Sequence, residues 1–299
     1  MTCHLPPVSV VVPTYNRREM LMRALHSVFH QSVACREILV VDDASTDGSR
    51  EYVESNIDRE WRGNLRWLDM PSNRGPAAAR NLGIAHARGE LIAFLDSDDH
   101  WHPRKIERQA ELMADNPRYH ISHTRETWLR RGQHLNQKKK HLPRHGDIFS
   151  HCLELCAVGM STVMAYRKLF DTVGYFDEDM RCCEDYAFWL KVSCRFPFLL
   201  VDEQLTVKEG GRPDQISTRY RQGMDRLRVE ALERLVRSGV LTAGQRREAI
   251  QELRRKCAIY GQGCLKHGRT EEGMHFLALA ETMMGQLEND SAKREKILA

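Results

Sequence analysis

The sequence has no long hydrophobic run. Its longest apolar stretches, such as LIAFL at 91–95, fall far short of the roughly 20 residues a helix needs to cross a bilayer. The opening residues MTCHLPP lack the basic and apolar blocks of a secretory leader. The expectation is therefore a cytoplasmic protein, with peripheral contact at the inner face of a membrane left open. Nine cysteines occur without a single CxxC spacing. This argues against a zinc site or a disulfide framework and fits a reducing compartment. A dominant charge of one sign is also missing, since the formal net charge is only +4 over 299 residues. That balance gives no argument for nucleic acid as a partner. Neither a GxGxxG fingerprint nor a Walker loop is present, which speaks against a dinucleotide enzyme and a P-loop NTPase.

What remains is a globular composition, 41% hydrophobic and 29% charged. The length suits one α/β unit with a smaller addition. The first hundred residues alternate between two patterns. Continuous apolar runs at 8–12, 37–41, 65–68 and 91–95 read as buried strands. Helical stripes lie between them at 17–30, 49–56 and 77–87, the last opened by Pro76. Gly83 inside that helix costs roughly 1 kcal/mol relative to Ala, so close packing against the sheet is expected there. Strand–helix alternation of this kind predicts a parallel sheet with crossovers, ligands binding outside the carboxyl ends of its strands. Each polar break falls at such an end. Thr14 and Tyr15, Asp42 and Asp43, Asn73 and Gly75, and Asp96 to Asp99 are thus expected along one rim.

The last of these breaks matters most. A buried strand cannot continue into carboxylates, so LIAFL must end where DSDD begins. In extended backbone Asp96 and Asp98 point to the same side. They repel unless a cation lies between them, and all-oxygen ligands suit Mg²⁺ or Mn²⁺. The plain alternative is a polar loop with Asp99 capping the next helix. A metal on the rim would neutralise a diphosphate, and Asp42 or Asp43 would accept hydrogen bonds from a base or ribose.

The segments VSVVVPTYNR, ILVVDDASTDGS, NRGPAAARNLG and GELIAFLDSDD, in this order, resemble the successive motifs of family 2 glycosyltransferases. The resemblance implies the glycosyltransferase A fold, a mainly parallel Rossmann-like α/β sheet flanked by helices, and an inverting enzyme using a nucleotide-sugar donor. It implies that Pro13, Thr14 and Tyr15 wrap the nucleotide and that Asp43, with or without Asp42, reads the base. Asn73 and Arg80 would help hold the nucleotide. Asp96-Ser97-Asp98 would form the metal-and-diphosphate motif, with Asp98 the direct ligand, supported by Asp96, of Mn²⁺ or Mg²⁺.

Later segments are read in the same way. Residues 100–116 predict a helix, 121–124 and 126–130 strands, and 131–146 a solvated basic loop around Lys138, Lys139 and Lys140. The alternatives for that loop are a mobile lid or a surface for an anionic acceptor or lipid headgroups. GMSTVMAY at 159–166 resembles the family's strand toward the acceptor. Glu184 and Asp185 open a helix, where acids are favoured by the dipole. Inversion also needs a carboxylate to take the acceptor's proton, and the resemblance makes Asp185 that base, with Glu184 orienting the acceptor. Residues 198–201 and 205–207 predict short strands. Arg212, in a glycine-containing loop, is placed near the diphosphate or the acceptor. After residue 217 strand-like runs disappear. Helices are expected at 219–238 and, capped by Thr242, at 243–259. Residues 260–280 resemble one tetratricopeptide-like unit, and the last ten or so are expected to fray.

The domains expected are 1–217, catalytic (1–100 nucleotide-sugar binding, 101–217 acceptor binding), and 218–299, an α-helical extension for a dimer or partner contact. The functional reading is a metal-dependent glycosyltransferase, UDP-sugar preferred, acting on a hydroxyl of a glycan, lipid-linked or protein acceptor in surface glycan synthesis. The alternatives are a non-catalytic nucleotide-sugar-binding scaffold, and a nucleotidyltransferase, for which the basic glycine-rich loop after the first strand is missing.

Overall fold

The computed structural model describes residues 5–220 and 223–298. Strand β1 (Val8–Thr14) is buried along its whole length, as its β-branched run demands. It sits between β2 (Glu37–Asp42) and β4 (Leu91–Phe94), with β3 (Leu65–Asp69) beyond β2, all parallel. Helices α1 (Arg18–Phe29), α2 (Ser49–Asn56) and α3 (Pro76–His86) make the crossovers. Successive β1 residues point to opposite faces. Val10 and Val12 enter one core with Leu21, Leu25 and Val53, while Val11 enters the other with Ala79 and Phe94. Burial on both faces explains why these strands read as unbroken apolar runs. Gly83 meets the close packing expected of it, because a Cβ there would run into the Val11 side chain.

Beyond β4 the sheet becomes mixed. Strands β5 (His100–Trp101), β6 (Ile121–Arg130), β7 (Gln133–Leu135), β8 (Met164–Tyr166) and β9 (Leu199–Gly210) join it. The order is β3-β2-β1-β4-β8-β6-β9-β5, with β7 pairing β6. β8 runs antiparallel to β4 and β6, whereas β6 and β9 are parallel. Several boundaries differ from the sequence expectation. Residues 100–101 form a strand against Thr206 and Val207, and helix α4 begins only at Lys105 and ends at Asp115. The two strands expected over 121–130 are one, with register irregularities at Thr124–Glu126. The two expected over 198–207 are likewise the single β9. The segment 159–166 is a 3₁₀ turn, Met160–Thr162, followed by the short β8.

Helices α5 (Phe149–Glu154), α6 (Lys168–Val173) and α7 (Glu184–Ser193) cover the second half, and α8 (Ile216–Arg219) follows β9. The helix expected over 219–238 is α9 (Met224–Arg237), residues 221–222 lying outside the described set. Thr242 caps α10 (Ala243–Lys266) through a capping box with Gln245. Helix α10 continues past residue 259, and α11 (Thr270–Leu298) runs through the stretch expected to fray. The two pair closely because a Cβ on Gly261 would lie 2.9 Å from the Gly273 carbonyl oxygen. Val229, Leu232, Ile250 and Leu253 share one core with Tyr186 and Trp189 of α7, so α9 and α10 pack on the sheet unit.

Candidate active site

The carboxyl ends of β1, β2 and β4 come together with the loops following β3 and β9. Non-glycine residues with positive φ mark three entry points: Asn16 after β1, Ala44 after β2 and Cys183 before α7. Such backbone costs about 1–3 kcal/mol each and persists where the surroundings enforce it. The first two loops are laced together. The Asn16 amide donates to Ser45 Oγ at 2.9 Å, and the Thr46 amide donates to Asn16 Oδ1 at 2.7 Å. Pro13 and Thr14 are buried, and Thr14 Oγ1 has no partner among the described residues. Tyr15 is exposed. Asp47 accepts from the Ser49 amide and hydroxyl and from the Arg18 amide, a capping role.

Asp42 accepts from the Ser45 amide at 2.9 Å. Asp43 accepts from the Arg74 amide at 2.7 Å and the Gly75 amide at 2.8 Å, while Asn73 donates to its backbone oxygen. Asp43 thus shapes the turn that starts α3. Burial pushes its carboxyl pKa up, against the pull of those amides.

The acidic corner is not extended. The Asp99 amide donates to the Asp96 carbonyl at 2.9 Å, closing a turn that sends the three carboxylates to different partners. This corrects the expectation that Asp96 and Asp98 share a side. Asp96 Oδ1 accepts from Arg80 Nη2 at 2.8 Å, and Glu184 Oε1 accepts from Arg80 Nη1 at 2.8 Å. Arg80 is buried, so its guanidinium faces inward as a bridge between residues 96 and 184. Burial favours neutral Asp96, but Arg80, helped by Lys208 and Arg17, holds its carboxyl below the usual range. Glu184 moves the other way, because burial and neighbouring Asp185 outweigh Arg80. Ser97 is buried within the turn.

Asp98 faces the opposite group of charges. Its Oδ2 pairs with Arg212 and, at 3.2 Å, with Arg17. Asp214 joins both arginines at 3.3 Å, and Arg23 donates to the Asp98 carbonyl at 2.9 Å. Arg212 Nη1 is buried without a partner among the described residues. Asp99 is buried and locked. It accepts from Ser161 Oγ at 2.7 Å and from the Glu209 amide at 3.1 Å, with its pKa raised by burial and by Asp98. It therefore supports the turn and does not cap the next helix.

Asp185 lies in the first turn of α7, half-buried. One carboxylate oxygen accepts from the Tyr186 amide at 2.7 Å and the other from Cys156 Sγ at 3.2 Å. Lys208 on β9 lies in the field of Glu126, Asp99 and Asp96, which raises its pKa in spite of burial. Sequence reading passes over Arg17, Cys156, Ser161 and Lys208. Only Arg17, inside the PTYNR string, carries a local signal; Lys208 is brought in on β9, and Cys156 and Ser161 by the loop and 3₁₀ turn between α5 and β8. Among the described residues no group of three or more His, Cys, Asp or Glu forms a self-contained metal cage.

The chain as a whole is similar to known proteins. The family model described as Glycosyl transferase family 2 matches residues 9–172. An uncharacterized glycosyltransferase of Rickettsia felis is 36% identical over 209 residues, 68% of this chain and 33% of that protein. The chain spans about a third or less of the length of the rickettsial relatives it matches. Escherichia coli WfgD, named a UDP-Glc:α-D-GlcNAc-diphosphoundecaprenol β-1,3-glucosyltransferase, is 31% identical over 188 residues, 62% of this chain and 69% of that protein. The crystal structure of S. aureus TarS 1–349 with UDP-GlcNAc superposes with a TM-score of 0.72 at 20% identity, covering 92% of this chain and 79% of that one. The mannosyltransferase PcManGT of Pyrobaculum calidifontis, solved with GDP-Man and Mn²⁺, gives 0.65 at 19% identity, covering 97% and 81%. At these identities the structural likeness shows the shared fold alone, the glycosyltransferase A fold.

Proposed function

The chain belongs to glycosyl transferase family 2, and on that premise we propose that it is a metal-dependent inverting glycosyltransferase. It takes a sugar from a nucleotide diphosphate, UDP by preference, to a hydroxyl of a glycan, protein or lipid-linked acceptor. The relatives supply the substrate classes. WfgD is named for a UDP-glucose donor and a diphosphoundecaprenol-linked acceptor, and TarS was solved with UDP-GlcNAc. In this reading residues 1–217 are the catalytic unit, on the cytoplasmic side, and 218–299 offer a helical surface to a second copy or a partner.

The observation that carries the proposal is the Arg80 bridge. By holding Asp96 and Glu184 together, it ties the donor loop to the helix that presents Asp185. The acceptor oxygen forms a bond to the anomeric carbon as its proton passes to the Asp185 carboxylate. The bond from that carbon to the diphosphate oxygen breaks, and its electron pair leaves with the diphosphate. Because attack comes from the opposite face, the centre inverts. Buried donors without partners, Thr14 Oγ1 and Arg212 Nη1, suit an anionic nucleotide ligand.

The all-oxygen donor set fits a hard cation such as Mn²⁺ or Mg²⁺. Asp98 would hold that cation, while Asp96 stays engaged by Arg80. The bound metal would stabilise charge on the departing diphosphate. A panel of UDP-, GDP- and dTDP-sugars, with and without Mn²⁺, identifies the donor. Asp185→Asn is then expected to bind that donor normally while transfer falls by about 10²–10⁴. Unchanged turnover would remove Asp185 from the role of base.

A further inference from the structure

We propose that the β6–β7 hairpin and the segment after it form a docking surface for a bilayer carrying anionic headgroups. Between Glu126 and Asp147 the sequence contains no acid, yet it contains Arg130, Arg131, Lys138, Lys139, Lys140 and Arg144. All six are exposed. Among the described residues none of them pairs with a carboxylate. Arginines elsewhere on the surface behave differently, with Arg50 on Asp69, Arg108 on Glu203 and Arg269 on Glu272. Six cations left unpaired in a chain of nearly balanced charge call for a partner from outside.

That partner is a membrane by the nature of the other exposed groups. Leu135 and Leu142 are 42% and 37% exposed within the same basic segment. Leucines beside lysines suit an interface with headgroups outside and acyl chains beneath; a soluble polyanion has no use for them.

The segment is also held in place. His123 Nε2 donates to the Arg144 carbonyl and His151 Nε2 to the Lys140 carbonyl, each at 2.8 Å. Trp128 Nε1 donates to Glu126 Oε2 at 2.6 Å. The two histidine bonds grip the loop's backbone and leave the cationic side chains outward, in place of the solvated loop expected from composition. The surface adjoins the site, because Arg130 is in register with Gly210, two residues before Arg212. A docked chain would therefore present its active-site loop to the membrane.

This inference rests on the hairpin and not on the transfer reading, so either can fail alone. The test is co-sedimentation of the full chain with phosphatidylglycerol-containing vesicles, with phosphatidylcholine vesicles as control and heparin as a soluble polyanion. Strong partition onto the anionic vesicles alone is expected, weakening as salt rises. Each cation near such a surface is worth about a factor of five, so Lys138→Gln, Lys139→Gln and Lys140→Gln together should cost about a hundredfold in partition coefficient. Leu135→Ser with Leu142→Ser should cost roughly tenfold. No binding to anionic vesicles, equal binding to neutral ones, or wild-type partition of the triple lysine variant would overturn the proposal. So would heparin binding without vesicle binding. A leucine variant indistinguishable from wild type would overturn the bilayer in favour of a soluble polyanion.

Discussion

Two charged regions lie side by side where β6 and β9 end, and they treat charge in opposite ways. In the candidate site cations and carboxylates are matched: Arg80 with Asp96 and Glu184, and Arg17 and Arg212 with Asp98 and Asp214. In the hairpin the cations stand alone over two buried supports, His123 and His151. Matched charge fixes geometry at the cost of desolvation. Unmatched charge on a fixed backbone keeps its attraction for something else.

The comparison breaks most visibly at Arg80. Removing one member of a buried ion network leaves charge uncompensated and costs about 3–5 kcal/mol. Arg80→Ala should therefore lower the free energy of unfolding in denaturant titrations by that much and abolish transfer. Neutralising the partners too, with Asp96→Asn and Glu184→Gln on Arg80→Met, should recover most of the stability without the activity. An Arg80→Ala protein as stable as wild type would show that the bridge carries no weight.

The hairpin's support is tested next, by pH. Burial pushes His123 down to about 4 from an ordinary value near 6.5. Between these values the unfolded chain takes up a proton that the folded chain refuses. Stability is thus full above pH 6.5, falls as pH drops, and levels below about 4, a total of about 3 kcal/mol. Urea midpoints measured across this window should show a smaller slope in His123→Gln than in wild type. Identical slopes would mean that another group is responsible.

The smallest stability effect is expected at the mouth. Asp98→Asn loosens a partly exposed cluster and should change stability by about 1 kcal/mol or less. Its effect should appear instead in donor binding, with the gain in affinity from Mn²⁺ reduced about tenfold or more in calorimetric titrations. If Mn²⁺ strengthens donor binding equally in both proteins, Asp98 is no ligand.

Much of this was legible in the chain. The runs at 8–12, 37–41 and 91–95 could only be strands buried on both faces, and the polar breaks after them had to share an edge. Thr242 announced a helix start through Gln245 three residues on. What escaped was long-range. Arg80 finds Glu184 at a separation of 104 positions, and nothing local distinguishes it from an exposed helical arginine. The pair His100–Trp101 is a strand only because Thr206 and Val207 lie beside it. The same-side argument for Asp96 and Asp98 failed because it assumed extended backbone where the chain turns. The hairpin's order depends on two buried histidines, one on β6 and one on α5, whose partners are backbone carbonyls that composition does not reveal.

The thiol of Cys156, which donates to the proposed proton acceptor, has a consequence of its own. Burial and the adjacent Asp185 carboxylate push its pKa well up, so the sulfur keeps its hydrogen around neutral pH. Peroxides and alkylating agents attack thiolates and largely spare thiols. The group that steadies Asp185 is therefore a poor nucleophile, slow to react with such agents.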